Sequence, residues 1–136
     1  IRAVASGECQ IGVANTYYLA RLAASDDPAD QAVASAVKVV FPGQESNGTH
    51  VNISGAGLVT TSPNSENAVK FLEYLTSESA QLLFANGNFE YPAVPGVAPM
   101  STVAGLGEFS EDMLNASELG VNQAAAIMVF DRAGWK

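Results

Sequence analysis

Short apolar runs alternate with segments of helical spacing in the first part of this chain. The apolar run at 10–15 is typical of a buried strand, and residues 17–24 that follow it are helix formers without glycine or proline. We expect Thr16 to cap that helix. A second helix over 30–36 and a β-branched strand over 37–41 then predict the order strand, helix, helix, strand.

Residues 43–48 are polar and rich in turn formers, and the chain becomes apolar again beyond them. Apolar residues at helical spacing from Ala68 to Leu75 predict an amphipathic helix that starts near Ser62-Pro63-Asn64. Ser77 is placed to cap a further helix over 78–84, which we expect to end near Asn86-Gly87.

The prolines in 90–101 exclude a regular helix or a central strand there, so we predict an ordered extended segment. A final helix is expected over 124–133. Gly134 would end that helix, and Trp135 would pack back against it. Together these elements predict an α/β protein.

Charge and composition exclude several classes of function. The chain has 6 Lys+Arg against 14 Asp+Glu, a net charge of −8, which disfavours nucleic acids and anionic membrane surfaces as partners. No apolar run approaches the roughly 20 residues of a membrane-spanning helix, so we expect no membrane insertion. The chain opens at Ile1 with neither an initiator Met nor a leader, and we expect it to be part of a longer protein. Cys9 and His50 are each the single residue of their type, which argues against zinc sites and cysteine proteases.

The adjacent pair Tyr17-Tyr18 is the strongest candidate for chemistry. It lies at a strand-to-helix junction, where both side chains can turn toward the ligand position of open α/β sheets. A phenol has a pKa of about 10, so a tyrosine metal site needs a hard, highly charged cation such as ferric iron. The helix N-terminus and Arg21, at i+4 and i+3 from the two tyrosines, would both lower the phenol pKa values.

Two other interpretations of the pair remain open. The tyrosines can be half-buried packing residues of a ligand-free structural fragment. They can also line the cleft of a binding protein for an organic or anionic solute. No arrangement of Ser, His and Asp suggests catalysis, so we expect the protein not to be an enzyme.

The segment 6–18, a small-residue strand running into Asn15-Thr16-Tyr17-Tyr18, resembles the bacterial periplasmic ferric-iron-binding proteins, the solute receptors of iron ABC importers. The resemblance continues in the same order over nearly the whole chain. It includes Gly48-Thr49-His50-Val51-Asn52-Ile53-Ser54-Gly55-Ala56-Gly57, Asn67-Ala68-Val69-Lys70-Phe71-Leu72-Glu73-Tyr74-Leu75, Glu90-Tyr91-Pro92, Leu114-Asn115 and Asp131-Arg132-Ala133-Gly134-Trp135-Lys136.

The resemblance implies a two-lobed, type II periplasmic binding protein-like α/β fold, of which this chain is the C-terminal portion. Residues 1–48 would belong to the C-terminal lobe and carry the Tyr-Tyr metal site. Residues 49–103 would cross between the lobes and form a segment of the N-terminal lobe, and residues 104–136 would return to the C-terminal lobe.

The resemblance also implies a function for individual residues. Tyr17 and Tyr18 would be tyrosinate ligands of Fe(III), Asn15 would help to hold an anion or water that completes the coordination, and Arg21 would balance charge behind the ligands. The protein would capture Fe(III) in the periplasm, or otherwise outside the cytoplasmic membrane, and deliver it to the membrane subunits of an ABC importer. The remaining ligands would come from the N-terminal half of the same protein.

Overall fold

The computed structural model describes residues 1–135, and among these residues the regular elements are all helices. In chain order the helices are α1 (Arg2–Ala5), α2 (Thr16–Ala23), α3 (Pro28–Ser35), α4 (Ser65–Leu75), α5 (Glu78–Asn88), α6 (Ser101–Ala104) and α7 (Ala116–Ala133). Within the described residues the only β pairing is an isolated parallel bridge between Thr49 and Glu111. The chain divides into two compact units. The first comprises Ile1–Val40 and Asn52–Glu108, and the second Phe41–Val51 and the described residues from Phe109 onward.

In the first unit, α2 packs against α3 and α6, and α1 packs against α3. Leu19 and Ala20 on α2 and Val103 on α6 are buried, so the face of α2 opposite the exposed Arg21 supplies part of a small core. Asp27 caps α3 by accepting a hydrogen bond from the backbone N–H of Ala29. This packing fixes the direction of α2 and therefore the position of the tyrosines in its first turn.

The predicted helix after residue 16 is confirmed, but the predicted cap is wrong. Thr16 is the first helical residue, and Asn15 occupies the N-cap position with extended backbone angles, φ −69° and ψ 145°. The predicted helix over 30–36 is also confirmed, shifted to Pro28–Ser35 because proline suits the first turn.

The predicted strands at 10–15 and 37–41 are wrong for this chain. Neither segment forms a ladder within residues 1–135, and side chains expected to be buried are exposed, Ile11 by 85% and Val13 by 86%. A strand needs a neighbour to satisfy its backbone groups, and these segments have none here. The segment that resembles the family's return strand, 48–57, likewise forms no strand in the described chain.

Helices α4 and α5 are those predicted for the middle of the chain, and α5 runs through Gly87 to Asn88, past the expected end. Ser77 caps α5 as predicted, accepting a hydrogen bond from the N–H of Ala80. The buried Gln81 of α5 donates to the carbonyl of Leu75 at 2.8 Å and accepts from the N–H of Ala93 at 2.7 Å.

These contacts fix part of the proline-rich segment to α5, which explains how that segment is ordered without a sheet. The prediction of an irregular extended segment is confirmed up to Met100. At Ser101 the short helix α6 begins, which we did not predict.

In the second unit, the N–H of Thr49 donates to the carbonyl of Ser110 and its carbonyl accepts from the N–H of Asp112. Gly48 lies beside them at φ +92°, and a Cβ there would stand 2.5 Å from the Glu111 carbonyl oxygen, so only glycine fits. The side chain of Gln44 donates to the Ser110 carbonyl and accepts from its N–H.

Helix α7 begins at Ala116, before the predicted start at residue 124, because Asn115 caps it by accepting from the N–H of Ser117. The predicted end at Gly134 is confirmed, with φ 65°. Trp135 packs against Phe130 with ring centroids 6.3 Å apart, as expected. Lys136, the last residue of the closing motif, lies outside the described residues. Within residues 1–135, no helix is long and apolar enough to span a bilayer.

Candidate metal centre

Tyr17 and Tyr18 lie together in the first turn of α2. Their ring centroids are 4.3 Å apart and their planes are inclined by 47°. Tyr17 is half-buried, whereas Tyr18 is 49% exposed, so the pair is partly open to solvent. The helix N-terminus places partial positive charge near both side chains, which favours anionic oxygens there.

Asn15 occupies the N-cap position of α2 but makes no side-chain cap. Its Nδ2 donates instead to the Tyr17 hydroxyl at 3.1 Å, and its Oδ1 accepts from Nδ2 of Asn52 at 3.3 Å. An Asn cap is ordinarily worth about 1 kcal/mol to a helix. The side chain thus forgoes a stabilising local bond and donates to a tyrosine oxygen.

Arg21 lies next to the pair, as its spacing predicts. Its guanidinium carbon is 5.3 Å from the centroid of the Tyr17 ring, within the range of a cation–π contact. The cation therefore lies over the ring of one tyrosine, and its charge acts on both.

The pKa of Tyr18 lies above its ordinary value, chiefly because of a hydrogen bond with Tyr17. Repulsion from Tyr17 and desolvation raise it further, and the charge of Arg21 lowers it by the smallest of the four contributions. The expected lowering by Arg21 is therefore present at Tyr18, but the hydrogen bond with Tyr17, its repulsion and desolvation together outweigh it. A multivalent cation held between the oxygens would remove that repulsion.

An open cleft of about 490 Å³ adjoins Tyr18. It is lined by Ile1, Arg2, Ala3, Ala14, Tyr18 and Leu22. Arg2 pairs with Asp30, which also accepts from the hydroxyl of Ser25. Sequence reasoning missed the proximity of Arg2 to Tyr18 and of Asn52 to Asn15, because no local spacing relates residues so distant along the chain.

The composition of the site restricts the metals that it can bind. Within residues 1–135, no cluster of three or more His, Cys, Asp or Glu side chains is placed to hold a metal ion. The tyrosine pair offers two hard oxygen atoms, next to an amide N–H donor from Asn15 and the cation of Arg21. Such a donor set suits a hard trivalent ion and supplies only part of its coordination sphere.

Known proteins share both the sequence and the fold of this chain. The model of a family described as bacterial extracellular solute-binding protein matches residues 1–111. The chain is 51% identical over 136 residues to Iron uptake protein A1 of Synechocystis sp., a match that covers 100% of this chain and 38% of that protein.

Solved structures give the same result. A Trichodesmium protein, IdiA or FutA in complex with iron and citrate ligands, superposes with a TM-score of 0.94 at 53% identity, covering 99% of this chain and 43% of the other. The ferric binding protein from Campylobacter jejuni superposes with a TM-score of 0.90 at 35% identity, over 99% and 43% of the two chains.

These matches confirm the resemblance to ferric-binding proteins and the expected fold class, the two-lobed type II α/β binding-protein fold, of which this chain is a portion. The chain spans 38% of the length of Iron uptake protein A1. The matching family is described as solute-binding, which confirms at the level of the family the expectation of a binding protein rather than an enzyme. The relatives themselves are named for iron uptake and ferric binding. The chain belongs to the family of bacterial extracellular solute-binding proteins.

Proposed function

We propose that this chain is part of a receptor that captures Fe(III) through Tyr17 and Tyr18 and delivers it to an ABC importer. The observation that carries the proposal is the arrangement at the start of α2, where two tyrosine rings meet beneath a donated amide hydrogen bond and beside a cation. The names of its relatives, which refer to iron uptake and to a complex with iron and citrate, support iron as the cargo.

Each of the surrounding groups has a separate role in this proposal. Binding Fe(III) to both phenols releases both protons, because only the phenolate is a strong ligand. The amide N–H of Asn15 stabilises negative charge on the Tyr17 oxygen, and the α2 N-terminus does so for both oxygens. Arg21 offsets part of the charge of a bis-phenolate.

The other ligands would come from the N-terminal half of the same protein and from an anion or water near Asn15. Citrate in the Trichodesmium complex supports an external anion. We assign residues 1–48 and 104–136 to the C-terminal lobe and 49–103 to a lobe crossing and N-terminal-lobe segment. This assignment concerns the complete protein, whereas the compact units above are defined by packing within this chain.

The extracellular family description supports a location outside the cytoplasmic membrane, which we propose to be the periplasm. Membership of a solute-binding family supports delivery to the membrane subunits of an importer. Movement of one lobe relative to the other would open and close such a site.

The affinity of the complete protein for Fe(III) tests the assignment of the ligands. Tyr17→Phe and Tyr18→Phe each remove one ligand oxygen and leave the ring, so we expect each to weaken binding by at least about a hundredfold. Competition with EDTA for Fe(III) measures this loss.

Tyr74→Phe is the matched control, since Tyr74 is 46% exposed, close to the value for Tyr18, and lies on a different helix, α4. Affinities of the Tyr17 and Tyr18 variants equal to that of the Tyr74 variant would overturn the assignment. Tight binding of an organic anion without iron would favour the organic-solute alternative.

A further inference from the structure

We propose that Asn52 is a positioning residue for the candidate iron site, acting through Asn15 to orient an amide N–H toward the Tyr17 oxygen. The inference rests on the proposed function, and it adds a residue that neither the Tyr-Tyr motif nor local spacing identifies. Asn52 lies in the segment after Val51, far from α2 in sequence.

Two hydrogen bonds in series carry the proposal. Nδ2 of Asn52 donates to Oδ1 of Asn15 at 3.3 Å, and Nδ2 of Asn15 donates to the Tyr17 hydroxyl at 3.1 Å. All three residues belong to the first compact unit. The Asn15 amide is thus held at both ends.

Asn15 occupies the N-cap position of α2, so the orientation of its side-chain amide can be compared with that of an ordinary Asn cap. An Asn side chain there ordinarily turns its Oδ1 toward the backbone N–H groups of the first turn. In this chain Oδ1 of Asn15 faces Asn52 instead, and no side-chain cap forms. The hydrogen bond from Asn52 therefore competes with capping, and it keeps the amide turned toward Tyr17.

The direction of the amide determines which partial charge faces the Tyr17 oxygen. An N–H donor stabilises the negative charge that this oxygen carries as a ligand of Fe(III). A carbonyl oxygen in the same place would repel that charge. Asn52 holds the donor end toward Tyr17.

Asn52→Asp inverts this direction with little change in shape. A carboxylate accepts hydrogen bonds and does not donate them, so the Asn15 amide would turn its Nδ2 toward Asp and its Oδ1 toward Tyr17. Charge alone predicts the opposite effect on iron, since an added carboxylate attracts a trivalent cation. The sign of the change in affinity therefore distinguishes orientation of the amide from simple electrostatics.

The test uses the complete protein and Fe(III) supplied as its nitrilotriacetate chelate, with EDTA as competitor. We expect Asn52→Asp to weaken Fe(III) binding by about tenfold or more, the effect of one hydrogen bond to a charged group. We also expect its phenolate-to-iron absorption band to move to longer wavelength, because a phenolate without a donor gives up charge more easily. Asn52→Gln, which keeps a donor amide, should recover part of the affinity.

Asn67→Asp supplies the matched control, because it adds the same charge at an exposed position on α4. Thermal unfolding of each variant without iron checks that the fold is kept. Unchanged or tighter binding in Asn52→Asp, with the band unmoved, would overturn the positioning role while leaving the tyrosine site intact. Absence of Fe(III) binding in the unmodified protein would instead overturn the proposed function. A loss of affinity equal to that of Asn67→Asp would also reject the inference.

Discussion

Helix α2 forms backbone hydrogen bonds within itself. The extended segment 10–15 that leads into it would need a neighbouring strand to do the same. At the end of α2, for example, the N–H of Ala24 donates to the carbonyl of Ala20 at 3.0 Å, so the helix is completed by its own neighbours in sequence. Within residues 1–135, the preceding segment has no strand beside it, and Ile11 and Val13 are 85% and 86% exposed.

The difference shows which part of the candidate site this chain specifies by itself. The tyrosine pair is held by α2 and by packing inside the first unit. The segment that precedes it contains apolar residues typical of a sheet interior, and the chain matches only 43% of the Trichodesmium structure. We therefore expect the rest of the protein to supply the neighbouring strands.

Hydrogen exchange in the complete protein gives the largest expected effect. If segment 10–15 is paired there, the amides of Ile11 and Val13 should exchange at least about a thousandfold more slowly than unprotected amides. The amide of Gly96, in an exposed turn, serves as an internal reference, and that of Leu19 in α2 gives the protected limit. Exchange at 11 and 13 as fast as at 96 would show that the segment stays unpaired and that our comparison is wrong.

The proline-rich segment 90–100 provides a second contrast with segment 10–15. It is also extended without a sheet, but the side chain of Gln81 anchors it to α5. Gln81→Leu removes both the acceptor of the Ala93 N–H and the donor to the Leu75 carbonyl. We expect it to lower the free energy of unfolding by about 1–3 kcal/mol, measured by urea denaturation.

Gln31→Leu is the control for this variant. Gln31 is exposed and its side chain donates to the Ser25 carbonyl, so its change should stay below about 0.5 kcal/mol. Equal effects of the two variants would show that Gln81 does not anchor the segment.

Loss of the ion pair between Arg2 of α1 and Asp30 of α3 gives the smallest expected change in stability. Hydrogen bonds from Arg2 and then Ser25 hold the pKa of Asp30 below its ordinary value of 3.8. Stability from this carboxylate is therefore fully present above pH 3.8 and is lost as the pH falls through the lower pKa of the folded state.

Asp30→Asn should lower the thermal midpoint at neutral pH, and the difference from the unmodified protein should shrink as the pH is lowered below 3.8. Asp26→Asn, at an exposed position nearby, makes the same charge change as a control. A difference for Asp30→Asn that stays constant down to pH 2, about two units below that value, would contradict this account of the ion pair.

Most helices could be predicted from the sequence because their signals are local. Ser77 before α5 and Gly134 after α7 mark ends that the structure confirms. The start of α7 was missed because Gly120 and Asn122 obscure its helical pattern, although Asn115 caps it. The strands were predicted from apolar runs, but strand formation depends on neighbours that such runs do not specify.

The same distinction applies to the candidate site. Tyr17, Tyr18 and Arg21 are close in sequence, and helical geometry brings them together. The approach of Asn52 to Asn15 depends on the path of the chain between them, which no local pattern determines. The raised pKa of Tyr18 likewise depends on the mutual orientation of two side chains.

The most direct test of the central claim is a visible absorption spectrum of the complete protein after addition of Fe(III) nitrilotriacetate at neutral pH. We predict a phenolate-to-iron charge-transfer band that weakens in both Tyr17→Phe and Tyr18→Phe and is unchanged in Tyr74→Phe. Absence of the band in the unmodified protein, or a band of equal strength in all three variants, would contradict ferric binding by this tyrosine pair.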